Sequence, residues 1–410
     1  RDDLEGLVGS EMCIRDRLSI ARLISRVFLY KNSYLQKVEQ FDVIIIGGGL
    51  AGLTSAIHLA GEGYKLLLIE RYPYPHHKVC GEYVSNEVVP YLKSLGVTLP
   101  KVAAIDTLQL STKHGKLLQT KLPLGGFGIS RYTFDNALYK RALSLGVSVK
   151  FETVKNVTYL NDSFAIDTEN ENSYSAKVAI GAYGKRSGLD KQLNRNFIYK
   201  NAPWIGVKAH YAFPEFPENL VALHNFEGGY GGLSKTESGA VNFCYLTSYK
   251  SFQTVKSIEK FNSNIVARNK FLNHFLRHAK PLFDQPMSIA QVSFESKQTI
   301  KDHILMCGDT AGLIHPLCGN GMAMAIHSAK LASERIDNFF KESGYNRSKM
   351  ESDYSKKWKS TFRRRLQTGR ALQAILLSAR ASDILMGTIT KSPGLIRSLI
   401  KRTHGKPIAL

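Results

Sequence analysis

Residues 41–52 read FDVIIIGGGLAG, and this stretch decides the fold. Phe41 to Ile46 is a short apolar, β-branched run of the length of a buried parallel strand. Small and apolar positions from Leu53 to Gly63 then recur at helical spacing, and Lys65 to Ile69 (KLLLI) predicts a second strand that stops at Glu70. The result is a βαβ unit with G-x-G-x-x-G on Gly47, Gly49 and Gly52. Gly47 permits the tight turn, Gly49 lets the backbone approach a pyrophosphate, and Gly52 lets the helix pack against the strand. The helix start, with Leu50 and Ala51, offers free N–H groups and the positive end of its dipole. Glu70 follows Gly52 by 18 residues, with Arg71 beside it, near the ~20 expected of an acid that bonds an adenosine ribose. The order of the parts predicts a dinucleotide site.

A second glycine-rich segment lies far downstream. Ile304 to Glu334 (ILMCGDTAGLIHPLCGNGMAMAIHSAKLASE) predicts a short strand, then Gly308-Asp309, Pro316, and Gly319-Asn320-Gly321-Met322 opening a helix. Together with the first motif, it resembles the flavoprotein superfamily that includes para-hydroxybenzoate hydroxylase, the flavin-dependent halogenases and the geranylgeranyl reductases. The resemblance implies FAD as cofactor, with Asp309 bonding its ribityl chain and the backbone from Gly319 to Met322, including Asn320 and Gly321, facing the flavin. Arg131 to Leu138 (RYTFDNAL) matches the superfamily's R-x-x-F/L-D-x-x-L element, whose arginine lies near the cofactor. Val178 to Ser187 (VAIGAYGKRS) matches its G-A-D-G segment except that Tyr183 replaces the acid, which weakens a hydroxylase-style use of NADPH.

Within that superfamily, Lys78-Val79-Cys80-Gly81-Glu82 resembles the K-x-C-G element of the geranylgeranyl reductase-like group. Phe226 to Lys235 (FEGGYGGLSK) stands where the reductases have Y-x-W-x-F-P: Tyr230 is kept, while Gly232 and Lys235 replace the tryptophan and proline. That difference disfavours halogenation and makes Tyr230, Gly232 and Pro316 substrate-pocket candidates. Cys80 and His315 are candidate proton donors, although a lone cysteine is more often packed as a small hydrophobe and His315 could be a turn residue before Pro316. His76 and His77 read first as solvated loop histidines.

The chain has 410 residues, of which 43% are hydrophobic and 22% charged, the balance of a soluble globular protein. Five cysteines without CxxC or Cys/His spacing suggest neither a disulfide scaffold nor a zinc site, so no metal is expected and a reducing, cytoplasmic setting fits. The net charge is +21, and residues 349–410 carry 14 basic against 3 acidic side chains. There Tyr354, Trp358, Phe362 and Leu366 recur every four residues, with Lys356, Lys357, Lys359, Arg363, Arg364 and Arg365 on other faces. This predicts a basic amphipathic helix continuing to Ala379, and a shorter one over Leu395 to Lys401. The stripe suits packing on the flavin domain, and the charge leaves a peripheral membrane contact open. No motif supports nucleic-acid binding.

The expected architecture is α/β: a Rossmann-like FAD-binding domain (residues 41–81, 131–199 and 296–348) interleaved with an antiparallel-sheet substrate domain (82–130 and 200–295). A helical tail (349–410) follows, and a leader (1–40) precedes. Residues 1–17 are set aside, because Val8 to Arg17 (VGSEMCIRDR) resembles translated sequencing-adapter text. Half-buried strands are predicted around Leu108 to Thr112, Gly206 to Phe213 and Val241 to Thr247. The resemblance implies an FAD-dependent oxidoreductase that reduces carbon–carbon double bonds of a lipophilic isoprenoid or polyene. The alternatives are a flavin monooxygenase and an electron-transfer flavoprotein. No second G-x-G-x-x-G follows, so NAD(P)H or another reduced carrier is expected to dock transiently.

Overall fold

Glu39–Ile46 lies between Leu66–Glu70 and Ser173–Gly181 and runs parallel to both. Val43, Ile44 and Ile45 are wholly buried, which explains why the run is continuously apolar and does not alternate. Ser148–Phe151 and Ile304–Met306 extend the parallel order on either side. An antiparallel hairpin, Val154–Leu160 with Ser163–Thr168, folds back on Ser173–Gly181, and Ile300–Lys301 completes a sheet of eight strands among the described residues. Helix Leu50–Gly61 packs against helices Arg131–Ser144 and Gly321–Lys341. This computed structural model describes residues 39–409 apart from 201, 379–380, 382–383, 385–387 and 389–392. The expectations for residues 1–38, including Cys13, and for Ala379 therefore lie outside the described residues.

A second sheet of nine described strands runs from Lys280–Pro281 through Trp204–Ala212, Val241–Ser248, Gly229–Lys235, Leu220–Phe226, Ala103–Ser111 and Leu117–Gly128 to Tyr83–Ser85. Met287–Val292 also pairs with Trp204–Ala212. The expected antiparallel order needs one correction: Leu220–Phe226 and Ala103–Ser111 are parallel. Parallel neighbours need a long crossover, and here it includes part of the first sheet.

Ala103–Ser111 is half-buried as expected, but Trp204–Ala212 and Val241–Ser248 are buried on both faces. Ile205, Val207, Ala209 and Tyr211 pack with Phe243, Tyr245, Phe261, Leu272 and Phe275 in one core, while Lys208 and His210 are buried on the other side. Helices Ile258–Asn264 and Lys270–His278 cover the apolar side.

In the tail, helix Arg347–Leu377 buries Tyr354, Trp358, Phe362 and Leu366 in the core that holds the first strand. Lys356, Lys357, Lys359, Arg363 and Arg364 are exposed on the opposite side, whereas Arg365, expected among them, is buried. A second helix spans Pro393–Thr403. Among the described residues, no helix is long and apolar enough to cross a membrane.

Candidate active site

The three motif glycines have different surroundings. Gly47 has φ +102°, and a Cβ there would lie 2.5 Å from the Ala182 carbonyl oxygen. A Cβ on Gly52 would overlap the Gly47 carbonyl oxygen. A Cβ on Gly49 would meet only Arg131 Nη2, at 3.8 Å. The outer glycines thus serve the chain's own packing, and the middle one faces open space.

Glu70 accepts from the N–H of Gly48 at 2.6 Å and of Tyr72 at 3.3 Å, so its carboxylate braces the loop, with Arg71 exposed beside it. Tyr74 donates to the Gly48 carbonyl at 2.5 Å and stacks on Tyr139. Among the described residues no side chain caps helix Leu50–Gly61, so its first N–H groups are available to a ligand. Leu50 and Ala51 are buried beneath them.

Arg131 opens its helix behind the Ser130 cap and makes a bidentate pair with Asp135 at 2.7 Å on both arms. Lys78 Nζ joins Asp135 at 3.1 Å. Burial alone would raise the Asp135 carboxyl, but Arg131 and Lys78 outweigh it and hold its pKa below the ordinary range. Arg131 and Lys78 share the Asp135 carboxylate beside the glycine loop, where the guanidinium can also meet a diphosphate. The Cys80 thiol, half-buried, lies against the Arg131 guanidinium.

Gly308, at φ +60°, would place a Cβ 3.0 Å from Ala51 Cβ, so the late glycine segment packs on the start of the first helix. That contact sets half-buried Asp309 next to the glycine loop, in the turn Gly308–Thr310. Lys297 Nζ donates to the Asp309 carbonyl at 2.8 Å and to the Lys185 carbonyl at 2.7 Å, and burial lowers its pKa to about 8. Gly319 takes φ +59°, Asn320 stands at the helix N-cap position, and Gly321 and Met322 begin helix Gly321–Lys341, again without a side-chain cap. Two uncapped helix starts, an open face at Gly49 and the Arg131 guanidinium fit a dinucleotide. Tyr183, in place of the expected acid, lies within a buried group: Arg195 donates to Asp190 at 2.9 Å, to the Tyr183 hydroxyl at 3.4 Å and to the Thr310 carbonyl at 2.8 Å.

The Lys78–Glu82 loop is fastened to the second sheet along its backbone. Lys208 bonds the Lys78 carbonyl at 3.2 Å, Asn242 that of Cys80 at 3.1 Å, and Ser234 that of Gly81 at 3.3 Å. Glu82 is fully buried at φ +54° and accepts from Lys208 Nζ at 2.5 Å and the Arg131 N–H at 2.8 Å, with His210 Nε2 at 2.6 Å. Burial opposes its ionisation, but His210 and Lys208 bring its pKa below the ordinary value. His77 lies against His210, with ring centroids 5.1 Å apart, and is not a solvated loop residue: burial lowers its pKa to about 4. Ligand-type atoms of His77, Glu82 and His210 lie within 4.8 Å of one another, but Lys208 already supplies the positive charge that a metal would bring.

Sequence reading missed Glu82, Lys208 and His210. A lysine inside the apolar strand WIGVKAHYA was the available signal, since a buried ammonium requires a partner.

Trp204, Asn225, Tyr230, His315, Leu317 and Gln373 line a small cleft of about 10 Å³, room for one water-sized molecule. Burial lowers the His315 pKa to about 3, so the imidazole is neutral at physiological pH. Its Nδ1 accepts from the Leu317 N–H at 3.4 Å, which assigns the proton to Nε2, and Nε2 is buried with no partner among the described residues. The Tyr230 ring is 5.5 Å from His315. Gly232 lies further along the Tyr230 strand, where a Cβ would come 3.3 Å from Leu223, and Pro316 is exposed.

Sequence relatives include a digeranylgeranylglycerophospholipid reductase of Methanosarcina acetivorans, 25% identical over 342 residues (78% of this chain, 81% of that protein). Another is conditioned medium factor receptor 1 of Dictyostelium discoideum, 23% identical over 339 residues, covering 74% of this chain and 64% of that protein's length. Among solved structures, a flavin-dependent brominase superposes with TM-score 0.74 at 17% identity (89% of this chain, 93% of that one). A geranylgeranyl bacteriochlorophyll reductase-like protein of Thermoplasma acidophilum gives 0.70 at 20% identity, covering 89% of this chain and 100% of that one. These superpositions carry the fold alone. The family described as FAD binding domain matches residues 40–347, most of the length, and the chain belongs to that family as an FAD-dependent oxidoreductase.

Proposed function

We propose that this enzyme reduces a carbon–carbon double bond of an isoprenoid or polyene, the hydride coming from FAD in its reduced form. The observation that carries this reading is the Lys78–Glu82 loop, which is fastened to the second sheet and holds the Cys80 thiol beside the Arg131 guanidinium. The sequence likeness to digeranylgeranylglycerophospholipid reductases supports it.

In this reading the glycine loop, Glu70 and Arg131 bind the adenosine and diphosphate, Asp309 bonds the ribityl chain, and Gly319 to Met322 face the flavin. Cys80 would supply a proton from its thiol to the reduced double bond, and solvent would return that proton to the thiolate. The neutral His315 offers an Nε2–H hydrogen bond and carries no imidazolium proton to give. NAD(P)H or another reduced carrier would be the source of the electrons.

Photoreduced protein mixed anaerobically with a polyprenyl substrate is expected to yield a product heavier by two hydrogens. A product heavier by one oxygen when air is admitted, or reduction of a quinone with the polyprenyl chain unchanged, would sink this reading.

The exposed basic face of helix Arg347–Leu377 is proposed to dock on an anionic bilayer, where a lipophilic substrate would reside. Sedimentation with phosphatidylserine vesicles is expected to fall with salt, and by about 30-fold in affinity in Lys356→Gln/Lys357→Gln, at ~1 kcal/mol per charge. Equal binding to neutral vesicles would contradict this docking.

A further inference from the structure

We infer that Lys185 and Lys297 act in series as positioning residues, setting where the Cys80 thiol stands relative to the turn Gly308–Thr310 beside the glycine loop. The inference rests on the proposal that Cys80 gives the proton and Asp309 meets the cofactor, and names what fixes the distance between them.

The direction in which a side chain leaves the backbone follows from the two peptide planes that flank its Cα, because each plane is rigid. At Cys80 both planes are held. The carbonyl before it, that of Val79, accepts from Lys185 Nζ at 3.3 Å, and its own carbonyl accepts from Asn242 at 3.1 Å. The two donors come from different sheets: Lys185 follows strand Ser173–Gly181 of the first, and Asn242 belongs to strand Val241–Ser248 of the second. The carbonyls of Lys78, Gly81 and Glu82 accept from Lys208, Ser234 and the Ile129 N–H. Every carbonyl from Lys78 to Glu82 therefore has a donor within the protein, whereas irregular backbone at a surface commonly leaves such groups to water.

Lys185 is itself fixed to the Asp309 turn. Lys297 Nζ donates to the Lys185 carbonyl at 2.7 Å and to the Asp309 carbonyl at 2.8 Å, and lies 4.3 Å from the centre of the Phe197 ring. Thr310 Oγ1 makes a second tie by accepting from the Gly184 N–H at 2.8 Å, and Arg195 braces both sides, donating to the carbonyls of Gln298 at 2.9 Å and Thr310 at 2.8 Å. A lysine withdrawn from water ordinarily hydrogen-bonds a carboxylate. Lys297 takes two carbonyls instead, and the Asp309 carboxylate makes no hydrogen bond among the described residues. The backbone of Asp309 is thus anchored while its side chain is left to a ligand. From that carbonyl the series runs through Lys297 to the Lys185 carbonyl, and through the Lys185 side chain to the peptide that orients Cys80.

Lys185→Met deletes the ammonium and keeps the aliphatic stem. In the flavin-free protein, iodoacetamide is expected to alkylate Cys80 about fivefold faster in this variant, read by peptide mass, the factor that one lost hydrogen bond supplies. With FAD bound, reoxidation of the reduced protein by saturating polyprenyl substrate should slow about tenfold at unchanged FAD and substrate affinity, because a misplaced acid acts on the step and not on binding. Lys297→Met should shift both rates in the same direction and also weaken FAD binding, since the Asp309 turn loosens. Added to Lys185→Met, it should change Cys80 alkylation no further, because it reaches the thiol only through Lys185. Lys185→Arg, which keeps a donor, should lie closer to the wild type than to Lys185→Met. Wild-type alkylation in Lys185→Met, effects that multiply in the double variant, or FAD affinity that falls together with the rate in Lys185→Met overturns the inference. Should a methionine variant not fold, Lys185→Gln, too short for the Val79 carbonyl, takes its place in the same comparison. If the wild-type reduced protein leaves the polyprenyl chain unchanged, the reading of the reaction fails, while the alkylation rates, measured without FAD or substrate, still judge the tie.

Discussion

Gly49→Ala is expected to unfold at the wild-type temperature when free of flavin, yet to bind FAD about a hundredfold more weakly. Its φ of −79° suits any residue, and the added carbon meets nothing of the protein closer than Arg131 Nη2 at 3.8 Å. The methyl group instead occupies the side from which a diphosphate reaches the free N–H groups. Charge-assisted hydrogen bonds of this kind are worth ~1.5–3 kcal/mol each, so losing one or two accounts for the factor. Gly52→Ala is the contrasting variant, because its Cβ would overlap the Gly47 carbonyl and push the helix from the strand. It is expected to melt several degrees lower even without flavin. Thermal melts of the flavin-free proteins and fluorescence titration with FAD separate the two cases. Wild-type FAD affinity in Gly49→Ala would remove the glycine loop as the diphosphate site.

Glu82→Ala is expected to destabilise the protein by about 3–5 kcal/mol, because it strands the buried Lys208 ammonium without its carboxylate. Glu82→Gln/Lys208→Met, which removes both charges, should recover most of that loss. The sign of the pH dependence follows from the lowered Glu82 pKa. A carboxyl titrating lower in the folded state than in the unfolded chain stabilises above the unfolded value, about 4.3, and that contribution fades as pH falls through the folded value. Urea midpoints between pH 7 and pH 3 should therefore fall more steeply for the wild type than for the double variant. Parallel curves, or a Glu82→Ala variant as stable as the double one, would show that the pair contributes nothing to acid stability.

The cofactor half of this fold was legible because its signals are local. A strand, a glycine loop, a helix and an acid in sequence order predict Glu39–Ile46, Gly47 to Gly52 and Glu70, and the four-residue stripe from Tyr354 predicts the side of the tail helix that is buried. What escaped depends on pairs distant in sequence. Glu82 gains its meaning from Lys208 and His210, more than a hundred residues away, and Arg365 looked like its exposed neighbours until Glu87 and Asn320 were beside it. Periodicity assigns a residue to a face but cannot say what that face meets. The parallel pair in the second sheet was hidden for the same reason, since alternation along a strand does not encode the direction of its neighbour.

That parallel pair has a consequence for biosynthesis. Ala103–Ser111 leaves the ribosome long before Leu220–Phe226, and at roughly 10 residues per second about ten seconds separate them. During that interval one side of Ala103–Ser111 presents unpaired N–H and C=O groups, a template for strands of other chains. Expression at high level therefore exposes this protein to aggregation through a nascent edge that the finished fold conceals.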